Sequence, residues 1–159
     1  MGLLGPVGLL LYGIGSSRMG DLAEVVKIIC TNLVAADARF ELEVEAEPVI
    51  VPVHKAAVVA LISNELVTNA IKHAFPDRAV GKIGVRLRRT AENSVALSVT
   101  DNGAPLPAYP PKSSGGIGLG LVARLAHQLA GELRVDAEPK QFSVVFPDFD
   151  ILGTARDTR

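Results

Sequence analysis

The stretch Asn64-Glu-Leu-Val-Thr-Asn-Ala-Ile-Lys-His-Ala-Phe75 sets four polar side chains into an apolar background. On a helix turning roughly 100° per residue, with Glu65 at zero, Asn69 falls near about 40°, Lys72 near about −20° and His73 near about 80°. A carboxylate, a carboxamide, an ammonium and an imidazole therefore share one narrow face, while Val59, Ala60, Leu66, Val67, Ala70, Ile71 and Ala74 occupy the other. This is a buried helix with a polar stripe, and the stripe needs a reason. A second feature is Gly115-Gly-Ile-Gly-Leu-Gly-Leu121, with glycines at 116, 118 and 120 leading into a helical pattern. Glycines there let backbone N–H groups approach phosphate oxygens, and a helix N-terminus adds favourable potential for an anion. No Gly-Lys-Ser/Thr follows, so this is not a Walker loop; a loop rather than a strand precedes it, so it is not a dinucleotide fingerprint. The third feature, Asp101-Asn-Gly103, closes an apolar strand pattern and by itself is a common turn.

The elements that must position these residues are legible in order. Asp21-Leu-Ala-Glu24 reads as a capping box, and Leu22, Val25, Val26, Ile29 and Leu33 predict a helix to about residue 36. Phe40 to Ala46 alternates strictly, which predicts a strand with one wet face. The short apolar run Val49 to Val53 holds a proline and reads as an edge strand or a turn. The motif helix is expected from Lys55 to Ala74, stopped by Pro76. Strands follow over Lys82–Arg89 and Val95–Asp101, then a loop from Gly103 to Gly116, and a helix from Ile117 to Ala130 closed by Gly131. Leu133–Ala137 and Phe142–Phe146 make a last pair of strands. Arg86 and Arg88 alternate with apolar residues and read as a solvated strand face rather than a binding patch. Helices together with strands of one apolar face predict an α/β two-layer sandwich, with a mixed, mostly antiparallel sheet covered on one face by about three helices.

Composition bounds the functions open to such a chain. Its 159 residues suffice for one domain with a proper core. Sixteen basic against seventeen acidic residues give a net charge of −1, which argues against nucleic acid as a partner. The single cysteine, Cys30, cannot form an internal disulfide, which points to a reducing, cytoplasmic setting. It reads as a small buried apolar residue. Gly2 to Gly15 is apolar but too short to span a bilayer, and no segment predicts membrane contact by this chain. The expected organisation is a lead-in over residues 1–20, one domain over 21–148 and a loose tail over 149–159.

Glu-x-x-x-Asn-x-x-Lys-His on a helix, then Asp-x-Gly after a strand, then Gly-x-Gly-x-Gly opening a helix, resembles the GHKL ATPase superfamily. The wording of the first motif looks most like the ATP-binding (Bergerat-type) domain of bacterial two-component sensor histidine kinases, in the subgroup with a very short ATP lid. The resemblance covers about Asp21 to Pro147. It implies that the polar stripe faces a nucleotide. ATP and Mg2+ are then the implied ligands, with Asn69 supplying the protein's oxygen to the metal. Glu65 would be the general base, or would orient the attacking group. Lys72 and His73 would offset phosphate charge, the alternative for His73 being a helix-end histidine satisfied by backbone. Asp101 would accept a hydrogen bond from the adenine amino group, Gly103 would let the base lie close, and Gly116, Gly118 and Gly120 would cradle the phosphates.

This chain departs from the family pattern at two places. Pro105 stands where a second glycine is usual, and Pro139-Lys-Gln141 replaces the Gly-Thr or Gly-Ser before the last strand. Family members transfer phosphate to a histidine on a separate dimerising hairpin, and none of His54, His73 and His127 lies in such a sequence. Residues 1–20 would be at most the end of that hairpin. The implied partners are therefore a histidine-bearing dimerisation domain and a response regulator. A stand-alone anti-sigma-factor serine kinase has a similar length, but the Lys-His-Ala-Phe ending and short lid favour a histidine kinase. A degenerate module that only docks phosphorelay proteins would have no chemical need of Glu65, Asn69, Asp101 and three glycines.

Overall fold

The computed structural model describes residues 19–77, 80–106 and 117–149. Gly116 with most of its loop, and the lead-in and tail beyond these bounds, lie outside the described residues. In chain order the elements are β1 (Met19–Asp21), α1 (Leu22–Ala35), β2 (Phe40–Ala46), β3 (Ile50–Pro52), α2 (Val53–His73), β4 (Gly81–Arg89), β5 (Ser94–Asp101), α3 (Ile117–Gln128), β6 (Glu132–Ala137) and β7 (Lys140–Pro147).

Asp21 caps α1 as its position predicts. Its Oδ1 accepts hydrogen bonds from the N–H of Ala23 at 2.9 Å and of Val49 at 3.1 Å. One carboxylate thus satisfies a helix-end donor and fastens the segment entering β3. The proline-bearing run is a strand, paired antiparallel with β1 so that Met19 faces Pro52. Met19 and Gly20, placed by sequence in the lead-in, therefore take part in the fold.

The main sheet has the order β2-β4-β5-β7-β6. Only β2 and β4 run parallel; the other three pairings are antiparallel. One face meets the three helices of the described residues. Ile83, Val85 and Leu87 of β4, Leu97 and Val99 of β5, and Val144 and Phe146 of β7 pack there against Leu22, Val26, Ile29, Ile62, Leu66 and Leu129. Burying one such side chain stabilises by roughly 1.5–3 kcal/mol, so the alternation of these strands decides which face is covered. The open face carries charge: Arg86 pairs with Glu45 at 2.8 Å and Lys82 with Glu41 at 3.3 Å, all exposed. Arg86 is thus a solvated strand residue, as expected.

Cys30 sits fully buried in α1, and burial pushes its thiol up to about 12. No helix of the described residues is long and apolar enough to cross a membrane.

Several boundaries differ from the sequence reading. The αL residue that ends α3 is Ala130, with φ 54°, rather than Gly131. The N–H of Ala130 reaches the carbonyl of His127 at 2.9 Å and that of Gly131 reaches Ala126 at 2.9 Å, the two bonds of a Schellman turn. Gly131 is required for another reason: a Cβ there would lie 2.2 Å from the Val145 carbonyl oxygen. The chain also stays packed beyond β7, at the start of the expected tail. Arg89 Nε donates to the buried Asp148 at 2.6 Å, Phe149 stacks on Phe146 at 6.2 Å, and Lys55 Nζ lies 4.9 Å from the Phe149 ring centre. Finally, β7 begins at Lys140, two residues before the apolar alternation announces it. That extension alters the site.

Candidate functional site

The apolar positions Val59, Ala60, Leu66, Val67 and Ala70 of α2 are buried, which turns Glu65 and Asn69 to the opposite side, each half-buried. Lys72 and His73 follow in the last turn and are exposed. There they also complement the negative end of the helix dipole. The first turn of α3 crosses the stripe. A Cβ at Gly118 would lie 3.0 Å from both side-chain heteroatoms of Asn69 and 3.4 Å from Glu65 Oε2. Gly118 therefore leaves open the space where the stripe meets the helix N-terminus. The N–H groups of that first turn have no carbonyl partner within their own helix, so they carry its positive end. Among the described residues, nothing lies within 4 Å of a Cβ built on Gly120. The structure thus brings Glu65, Asn69 and Gly118 together, while Gly118 and Gly120 lie inside the helix rather than in the loop before it.

The second half of the site lies at the end of β5. Asp101 is on the helix-facing parity of Leu97 and Val99, and its Oδ1 accepts the Gly103 N–H at 2.9 Å. This is the local turn that the Asp-x-Gly spacing favours. Asn102 is tied to β4: its Oδ1 accepts the Lys82 N–H at 2.7 Å and its N–H donates to Lys82 O at 3.2 Å. The Ala104 N–H donates to the Ala74 carbonyl at 2.7 Å, strapping the turn to the end of α2. Gly103 has no room for a side chain, because a Cβ would lie 2.1 Å from Ala74 O. Gly103→Ala should destabilise the fold by about 3 kcal/mol, since the obstacle is backbone and cannot rotate away. Urea unfolding of the variant checks this; an unchanged midpoint would mean that the turn is not clamped as described.

Lys140 joins this half of the site without any motif to announce it. Its ammonium lies 2.5 Å from Asp101 Oδ1 and 2.5 Å from the Ala104 carbonyl oxygen. The two side chains are 9% and 3% exposed. The available signal was parity: Lys140 shares the face of Phe142, Val144 and Phe146, which is visible once β7 is extended backwards.

One helix joins both halves. Asn69 and Ala74 are five residues apart on α2 and its cap, about 7.5 Å along the axis at 1.5 Å per residue. Among the described residues no group of three or more His, Cys, Asp and Glu could hold a metal ion. A dedicated all-protein metal centre is therefore not what these residues build. The oxygen of Asn69, with Glu65 one turn away and room left by Gly118, fits a magnesium ion that takes its other ligands from phosphates and water.

Solved histidine kinase domains share this architecture. A curated relative, blue-light-activated histidine kinase 2 of Erythrobacter litoralis, is 32% identical over 107 residues, 65% of this chain. The aligned part spans 30% of that kinase's length. The solved histidine kinase domain of a blue-light-activated kinase from Erythrobacter litoralis superposes with a TM-score of 0.75 at 25% identity, over 96% of this chain and 76% of that one. The mycobacterial sensor histidine kinase MprB shares the fold, with a TM-score of 0.64 at 24% identity over 81% of this chain and 95% of that one. The family described as histidine kinase-like ATPase domain matches residues 30–145, a span holding the polar stripe, the Asp101 turn and Gly118. The chain belongs to that family.

Proposed function

We propose that this chain is the ATP-binding catalytic domain of a sensor histidine kinase, which binds Mg·ATP and transfers the γ-phosphoryl group to a histidine on a separate dimerisation segment. The observation that supports this best is the meeting of Glu65 and Asn69 with the first turn of α3. Asn69 contributes its side-chain oxygen to the metal, and the N–H groups that open α3, at 117–119, hold phosphate oxygens. Magnesium, when bound, neutralises charge developing on the phosphates. Lys72, exposed beside the stripe, offsets phosphate charge, and His73 does so from its edge. Asp101 accepts the hydrogen bond of the adenine amino group through Oδ2, which among the described residues accepts no other; Oδ1 is engaged by Gly103 and Lys140. Glu65 takes the proton of the acceptor imidazole, or aligns it, as the new P–N bond forms and the bond to ADP breaks. The phosphohistidine then serves a response regulator. We place this work in the cytoplasm, where ATP and a reducing milieu coincide.

The chain's own histidines are badly placed as acceptors. His127 is nine residues beyond Gly118, about 13 Å along α3, and His54 precedes Glu65 by eleven residues, about 16 Å along α2. His73 stands on the stripe beside the metal ligand. Incubation with γ-labelled ATP and Mg2+ should leave the chain unlabelled and put acid-labile label on an added histidine-bearing dimerisation hairpin. Acid-labile label on the chain alone would overturn the acceptor assignment, and acid-stable phosphoserine on a partner would favour a serine kinase instead.

A further inference from the structure

We propose that Lys140 reads the base together with Asp101: its ammonium donates to ring nitrogen N1 of adenine while Asp101 Oδ2 accepts from the 6-amino group. This rests on the reading above that adenine lies at the end of β5. Lys140 opens β7, paired with Ala137, and its side chain lies on the face turned toward the helices. An ammonium has three donors. Two are directed at Asp101 Oδ1 and the Ala104 carbonyl, which leaves one. Asp101 is placed in the complementary way, with Oδ1 taking two donors and Oδ2 taking none among the described residues.

The two residues therefore present an acceptor beside a donor. That is the arrangement by which a uracil or thymine edge pairs with adenine, whose 6-amino group donates while N1 accepts. Guanine in the same position reverses both, setting a carbonyl against the carboxylate and an N–H against the ammonium. Stability alone does not call for such a pair. Desolvating an ammonium and a carboxylate largely offsets their attraction, and apolar replacements of buried ion pairs are often neutral. Recognition explains it better, because a site built around polar groups rejects a ligand that leaves them unpaired. Lys140 also stands where the histidine-kinase pattern has Gly-Thr or Gly-Ser, so this chain would contact N1 directly by a charged donor.

The test changes single atoms of the ligand and leaves the protein intact. The full chain with Mg2+ is titrated with ATP, with 1-deaza-ATP, in which N1 is a C–H, and with purine riboside triphosphate, which lacks the 6-amino group. The wild-type chain should bind 1-deaza-ATP about tenfold to a hundredfold more weakly than ATP, the range of one charged hydrogen bond. Lys140→Met should bind ATP and 1-deaza-ATP within about twofold of each other while still discriminating against purine riboside triphosphate. Equal binding of ATP and 1-deaza-ATP by the wild type would overturn the proposal. So would Lys140→Met binding ATP more tightly, since the ammonium would then merely block Asp101. If Lys140→Met fails to fold, the wild-type comparison alone decides. Absence of ATP binding by the wild type would instead overturn the nucleotide reading itself, a result distinct from indifference to N1.

Discussion

Glu65→Gln should lower phosphoryl transfer to an acceptor histidine by about 10²–10⁴-fold while leaving Mg·ATP affinity within about threefold. The amide keeps the size of the carboxylate and its place beside Gly118, so the packing between α2 and α3 survives. What it loses is the capacity to take a proton as the imidazole attacks. That capacity matters only in the transition state, so turnover falls and ground-state binding does not. Glu65→Asp should recover part of the rate, because the base is retained but withdrawn by one methylene. Single-turnover transfer measured beside calorimetric affinity separates the two effects. Equal losses in both would show that Glu65 serves binding rather than chemistry.

Asn69→Ala should act the other way, weakening the magnesium-dependent part of ATP binding on the order of a hundredfold. A Cβ at Gly118 would lie nearer the side-chain oxygen of Asn69, at 3.0 Å, than Glu65 Oε2, at 3.4 Å, and a magnesium ion bound there would have few protein ligands to fall back on. In chelator, where only base and phosphate contacts remain, wild type and Asn69→Ala should bind ATP equally. A loss of the same size with and without Mg2+ would assign Asn69 to the phosphates instead. Because Asn69 is half-buried at the helix surface rather than in the core, the variant should keep its unfolding free energy, measured in urea, within about 1 kcal/mol of wild type.

How much of this was legible in the sequence depends on whether local pattern or distant packing decides each feature. The polar stripe on α2 was readable because helical periodicity alone puts Glu65 and Asn69 opposite Leu66, Val67 and Ala70. The alternation of β4 and β5 likewise named the buried face. Boundaries set by contacts far along the chain were not readable. Val53, not Lys55, starts α2, directly after β3, which pairs with β1. Ala130 rather than Gly131 takes the left-handed position, because Gly131 is needed where the Val145 backbone passes close by. Lys140 was hidden for a related reason. A charged residue at the edge of an apolar run reads as the end of a strand, and only its pairing with Ala137 and its contacts with Asp101 and Ala104 bring it into the site. Gly103 is expected close to a base, and the fold adds a second demand, since Ala74 lies where a side chain at 103 would stand.

ATP is expected at a single site built by α2, the first turn of α3 and the end of β5. Calorimetric titration of ATP into the chain, with Mg2+ and then with chelator, tests it most directly. The predicted result is saturable binding at one site per chain, weakened by chelation and weakened at least about tenfold by Asp101→Asn, whose amide is a poorer acceptor and forfeits the ion pair with Lys140. No binding at millimolar ATP, or an affinity unmoved by both chelation and Asp101→Asn, would contradict it.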